Sequence, residues 1–191
     1  PLRWLLTLVA SVFLRALGGG ASSPAPAVIG EDEFKALVDA GSADGTLEAA
    51  ERSLIHRVFE FGDSRVDTIM QPLAKVFSLS YELPMARLLV EITRQRYSRV
   101  PIYRGRKDEV VGILYAKDLI ALASGASQSR PLKDLLRAPH YVPRTTKCVE
   151  LFREFKKTKT HLALVVDEYG SMVGLVTMED LLEELFGEIG D

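Results

Sequence analysis

A single cysteine, Cys148, stands in 191 residues, which excludes an intramolecular disulfide and any multi-cysteine metal centre. That usage points to a reducing compartment. There are three histidines, His56, His140 and His161, and no two of them fall at a ligand spacing such as His-x-x-x-His. No glycine-rich P-loop is present. The net charge of −2 supplies no strongly basic face, so bulk nucleic-acid binding is excluded. Long apolar runs are also missing. Within the apolar stretch 2–17 the uncharged run between Arg3 and Arg15 is 11 residues, about 16 Å as a helix and roughly half of a bilayer's hydrocarbon core.

What is present is globular in character, with 47% hydrophobic and 26% charged residues. Residues 1–17 read as an apolar helix associated with a membrane, either the end of a truncated transmembrane helix or a helix lying in the interface. A buried core helix and a signal peptide are the other readings. The start at Pro1 and the stop just after an apparent helix are expected of a piece of a longer chain. Residues 18–30, "GGGASSPAPAVIG", form a linker in which glycine ends one helix and proline and serine prevent another. Residues 31–61 form an acidic helical segment. Phe34, Leu37 and Val38 share one side, Leu47, Ala50, Leu54 and Val58 recur at helical spacing, and Gly41, Gly45 and Gly62 serve as breakers.

From about Val66 the chain is a tandem repeat. Residues 112–118 read "GILYAKD" and residues 174–180 read "GLVTMED". Each copy closes a unit with the same predicted order: an extended segment, an amphipathic helix, two strands joined by a turn, and a second helix. The units are 62–125 and 126–189, each βαββα in an α/β (α+β) fold. Their inward residues are Met85, Leu88, Leu89 and Ile92 in the first, and Cys148, Leu151, Phe152 and Phe155 in the second. One such unit closes its own core poorly, whereas two packed sheet to sheet form a pseudo-twofold pair.

"TMED" reads as a helix capping box, with Thr177 as N-cap and Asp180 reaching back. Tyr115 cannot cap in that way, yet Asp118 keeps the corresponding place. A strand-to-helix junction also favours phosphate, and an aspartate there can accept from ribose hydroxyls. Six basic residues fall within fourteen: Arg94, Arg96, Arg99, Arg104, Arg106 and Lys107. Arg104, Arg106 and Lys107 are expected in a solvated turn, offset by Asp108 and Glu109.

The stretches "IMQP", "YSRVPIYRG", "VVGILYAKDL" and "HLALVVDEYGSMVGLVTMEDLLEELFGEI" resemble the cytosolic CBS-domain pair (Bateman module) of the CorC/HlyC-like, cyclin M-like magnesium transport family. The resemblance implies binding of ATP (or AMP or ADP), with Mg²⁺ carried on the nucleotide, between the repeats. Thr177, Glu179 and Asp180 are then assigned to phosphate and ribose, and Tyr97 and Arg99 to base and phosphates. Gln71 stands where the family usually has threonine, and Tyr115 replaces the hydroxyl residue of the motif. One competent nucleotide site per pair is therefore expected. The resemblance also implies a homodimer, an attached membrane transport domain, and a place at the cell membrane with residues 31–191 on the cytoplasmic side.

The carboxylates form no acid/base pair. Glu183 and Glu184 lie opposite a leucine stripe as solvated acids, and Cys148 falls on an inward face as an inert thiol, so the chain is not expected to be an enzyme. Glu48 and Glu51 belong to an acidic stretch that either is simply solvated or responds to Mg²⁺ through charge screening. Two alternatives to a nucleotide sensor stay open, a CBS-pair dimerisation module without a physiological nucleotide and a soluble accessory protein of Mg/Co efflux.

Overall fold

The computed structural model describes residues 30–45, 47–125 and 130–187. The sequence readings for the apolar helix 1–17 and for nearly all of the linker therefore lie outside the described residues. Two compact units divide the chain, Pro1–Leu47 and Glu48–Asp191. In the first unit, helix α1 spans Glu31–Ala43 and carries an i,i+4 ion pair between Lys35 and Glu31 of 2.6 Å. Of its expected apolar side only Val38 is buried, while Phe34 and Leu37 are exposed. Gly41 does not break this helix, which runs through it. The break comes at Gly45, whose φ of +72° is costly for residues with a Cβ.

The second unit opens with helix α2, Ala49–Asp63, started by a capping box between Glu48 and Glu51. The Glu48 N–H donates to Glu51 Oε2 at 3.0 Å, so these two acids have a structural use at the helix start. Gly62 lies inside α2 and is not a breaker. The expected stripe is displaced too, because Leu54 and Val58 are exposed and Phe61 is the buried residue. The reason is position: α2 reaches the core only at its C-terminal end, where Phe61 meets Phe152 edge-on at 6.1 Å.

Each repeat then builds the predicted elements, but the sheets are not three-stranded. After the short helix α3 (Val66–Ile69) come β1 (Gln71–Pro72), β2 (Leu79–Ser80), α4 (Met85–Gln95), β3 (Arg99–Tyr103), β4 (Val110–Tyr115) and α5 (Ala116–Ala123). The second repeat supplies α6 (Leu132–Leu135), β5 (Leu136–Arg137), β6 (Tyr141–Pro143), α7 (Cys148–Thr158), β7 (Leu162–Val166), β8 (Met172–Thr177) and α8 (Met178–Phe186). Their order is β2-β3-β4-β5 in one sheet and β1-β8-β7-β6 in the other. Each sheet thus borrows an edge strand from the opposite repeat.

The glycines of the repeated phrase make that exchange possible. A Cβ on Gly174 would stand 2.7 Å from the carbonyl oxygen of Gln71, and one on Gly112 would stand 2.7 Å from Leu136 Cβ. Only a residue without a side chain lets the borrowed strand approach so closely.

The central strands β3, β4, β7 and β8 are largely buried on both faces, and their period of two sorts residues between cores. In β7, Ala163 and Val165 join the core under α7 and α8, whereas Leu162 and Leu164 join a layer with Val76, Val110 and Ile113 of the first repeat. The pseudo-twofold pair expected from the repeat is therefore closed by a shared apolar layer between sheets.

Candidate functional site

All six residues predicted for the nucleotide site line a single cleft of about 670 Å³: Gln71, Tyr97, Arg99, Thr177, Glu179 and Asp180. They arrive there from four segments. Gln71 is on the borrowed strand β1, Tyr97 follows the end of α4, and Arg99 opens β3. Thr177, Glu179 and Asp180 form the turn from β8 into α8.

That turn is a complete capping box. The Asp180 N–H donates to Thr177 Oγ1 at 3.2 Å. In return Asp180 Oδ2 accepts from the Thr177 N–H and from its hydroxyl, both at 2.7 Å. Capping thus accounts for Thr177 and for one oxygen of Asp180. The Thr177 hydroxyl proton is already directed at Asp180, so donation to a phosphate would need that bond to turn.

The facing wall is cationic and aromatic. Arg99 is half-buried, and its Nε has no hydrogen-bond partner among the described residues. Phe77 and Tyr97 stack at 5.5 Å with planes 26° apart and both line the cleft, offering a ring platform for a flat aromatic ligand.

Lys75, Arg96, Phe77 and His161 also line it. The sequence marks Arg96 only as one of a basic group and does not single out Lys75, Phe77 or His161 for the site. Arg96 takes the left-handed conformation, φ 60°, at the end of α4. Local sequence carries no sign of this, although the second repeat does the same with Lys159, φ 56°. Three of the other basic residues face carboxylates. Arg94 pairs with Glu91 at 2.8 Å, Arg106 with Asp108 at 2.7 Å, and Arg104 lies 3.8 Å from Glu82.

The corresponding junction of the first repeat is filled. Arg137 donates to Asp118 Oδ2 at 2.8 Å and its guanidinium lies 3.8 Å from the centre of the Tyr115 ring. Register identifies Arg137 as the counterpart of Gln71, since Arg137 pairs with Ile113 and Gln71 with Leu175. About 30 Å³ of cavity is left there.

Cys148 is fully buried at the start of α7. Burial first, then the charges of Glu184 and Asp67, push its thiol up to about 11. It stays protonated near neutral pH and is a poor nucleophile. Among the described residues no three His, Cys, Asp or Glu side chains gather as a metal-binding set. None of the described helices is long and apolar enough to cross a membrane.

With that geometry in hand, comparison with known proteins is specific. Residues 66–125 and 132–187 match the CBS domain family. The UPF0053 protein sll0260 of Synechocystis is 33% identical over 189 residues, covering 99% of this chain and 42% of that relative. The chain therefore spans less than half of that relative's length. Among solved structures, the CBS domain of the bacterial CNNM/CorC family Mg²⁺ transporter is 33% identical with a TM-score of 0.76, covering 86% of this chain and 100% of that one. The structure described as that CBS domain in complex with ATP is 36% identical with a TM-score of 0.64, covering 71% of this chain and 96% of that one.

Proposed function

The chain belongs to the CBS-domain family, as a tandem pair similar to those of CNNM/CorC family Mg²⁺ transporters, and on that premise we propose that it is the nucleotide-sensing module of a membrane divalent-cation transporter. Its cleft takes an adenine nucleotide, as Mg·ATP. The observation that carries this reading is the convergence of Gln71, Tyr97, Arg99, Thr177, Glu179 and Asp180 on one cleft of about 670 Å³, a size suited to a small ligand.

The residues divide the work by chemistry. Asp180 uses Oδ2 for the cap, which leaves Oδ1 to accept from a ribose hydroxyl, with Glu179 a second acceptor at the rim. Arg99, Arg96 and Lys75 bring positive charge for the phosphates, and the start of α8 adds the favourable end of a helix dipole. Tyr97, stacked on Phe77, meets the base. Gln71 hydrogen-bonds from the borrowed strand. Mg²⁺ enters with the triphosphate and neutralises part of its charge.

The role is regulatory rather than catalytic. Occupancy favours one arrangement of the module over another by differential affinity. In this reading residues 1–17 end a membrane domain, 18–30 link it, and 31–61 connect it to the CBS domains at 62–125 and 126–189. Residues 31–191 then lie on the cytoplasmic side. Two chains pair through their repeats, supported by the exposed apolar side chains of Val90 on α4 and Ile120 on α5.

Calorimetric titration with ATP, with and without Mg²⁺, tests the reading. One nucleotide per chain is expected, and heats no greater than dilution in both titrations would remove it.

A further inference from the structure

Lys75, Arg96 and Arg99 line the broad cleft together, but at different depths. Arg99, at the start of β3, is half-buried, whereas Lys75 in the turn Leu73–Lys75 and Arg96 at the end of α4 are exposed. Arg99 thus stands on the cleft wall, and Lys75 and Arg96 stand at its mouth.

Arg96 is there against the preference of the backbone. Its φ of 60° and ψ of 19° are left-handed, a conformation that a Cβ disfavours and that glycine adopts freely. The turn itself is needed, since the Arg96 N–H closes α4 on the carbonyl of Ile92 at 3.0 Å. Glycine would serve that turn better, so the backbone does not account for the arginine. Nor does a carboxylate hold it. Arg94, two residues earlier, pairs with Glu91 at 2.8 Å, but Arg96 makes no ion pair among the described residues. A guanidinium kept in a disfavoured turn, unpaired and at the mouth of a cleft, is placed for an anion that arrives from outside.

The second repeat holds the matching control. Lys159 ends α7 in the same left-handed conformation, φ 56°, yet it is not among the residues lining either crevice. It shares the backbone of Arg96 without the cleft.

We propose that Arg96 sets the specificity of the cleft for phosphate number, by holding the outer phosphates of a nucleoside di- or triphosphate that a monophosphate lacks. The proposal rests on the nucleotide reading. With the base on Tyr97 and the ribose at Asp180, the first phosphate lies beside Arg99, and a monophosphate ends there. Each further phosphate extends toward the mouth, adds negative charge and meets the Arg96 guanidinium, with Lys75 as a second donor. Such bonds are charge-assisted and suit a bidentate fork, so the parent binds ATP more tightly than AMP by about 10–100-fold.

The parent chain and three variants are titrated calorimetrically with AMP, ADP and ATP in the presence of Mg²⁺, and each is melted without nucleotide. Arg96→Gly melts at or above the parent, because relief of the left-handed turn outweighs the freedom glycine gains in the unfolded chain. Its ATP affinity nevertheless falls about tenfold, while its AMP affinity stays within about twofold. Arg96→Lys keeps the charge without the planar fork, and its ATP affinity falls between those of the parent and Arg96→Gly. Lys159→Gly also melts at or above the parent and binds every nucleotide as the parent does. Dilution heats for every nucleotide against the parent would remove the nucleotide reading and this proposal together. A parent that binds AMP and ATP alike, equal losses of both in Arg96→Gly, or an ATP loss accompanied by lower melting would leave the nucleotide reading intact and overturn the role of Arg96.

Discussion

The two repeats of this chain end in the same strand-to-helix turn, and only one of the turns opens onto a usable cleft. Behind Thr177 the crevice measures about 670 Å³; behind Tyr115 it measures about 30 Å³. Both turns place an aspartate third in the helix, and both sit beside a strand borrowed from the other repeat. The difference lies in a few side chains. Where the second junction has Thr177 and Gln71, the first has Tyr115 and Arg137, and Arg137 consumes Asp118. Register also sets Leu162 against Thr177 as it sets Arg99 against Tyr115, so the arginine that opens β3 has a leucine as its counterpart in β7. The fold supplies two crevices, and substitution decides which of them is chemically available.

The largest expected effect tests the aspartates. Asp180→Ala lowers nucleotide affinity by about 100-fold, since hydrogen bonds to a charged acceptor are lost, while Asp118→Ala leaves it within about twofold. Because Asp180 also caps α8, melting is followed in parallel, with a loss of about 1 kcal/mol expected. Equal effects of the two substitutions on calorimetric affinity would dissolve the comparison.

Next come the paired glycines. Gly174→Ala and Gly112→Ala each force a contact now drawn at 2.7 Å, and each costs about 1–3 kcal/mol in thermal unfolding. Gly174→Ala presses on the carbonyl of Gln71, a wall of the cleft, and so weakens nucleotide binding as well. Gly112→Ala presses on Leu136 and affects stability alone.

A smaller effect sharpens the same contrast from the other side. Tyr115→Thr combined with Arg137→Gln restores the second junction's residues to the first. Calorimetry then finds a second, weaker nucleotide per chain. A stoichiometry that stays at one would mean that Leu162, in the place of an arginine, closes the first crevice on its own.

Much of this was legible before any coordinates. The repeated phrase announced the pair, and the two-residue and helical periods located most strands and helices. "TMED" announced its capping box, because a cap is a local interaction between residues three apart. The strand exchange was not legible. Two-residue strands such as Gln71–Pro72 and Leu136–Arg137 carry no period, and their pairing is set by neighbours far along the chain. The stripe on α2 misled for a related reason: spacing shows which residues share a face but not how far along the helix the core extends. Lys75 and His161 were missed because they enter the cleft only through the packing of one repeat on the other.

The smallest prediction concerns the helices that open the two repeats' cores. At the first position of α7 stands Cys148, fully buried; at the first position of α4 stands Met85, which does not titrate. Burial holds the Cys148 thiol up to about 11 from an ordinary value of 9.0. Between those values the unfolded chain releases a proton that the folded chain retains. The folded state binds more protons in that window, so stability falls as pH rises through it and is unaffected below it. Cys148→Ala loses some packing at every pH, yet its stability declines less steeply between about pH 9 and 11. Tyr141, also raised by burial, keeps its own decline in both proteins, so the variant's slope is reduced rather than abolished. Denaturant titrations at closely spaced pH measure the two slopes, and parallel curves would show that the thiol is not what separates the repeats in alkali.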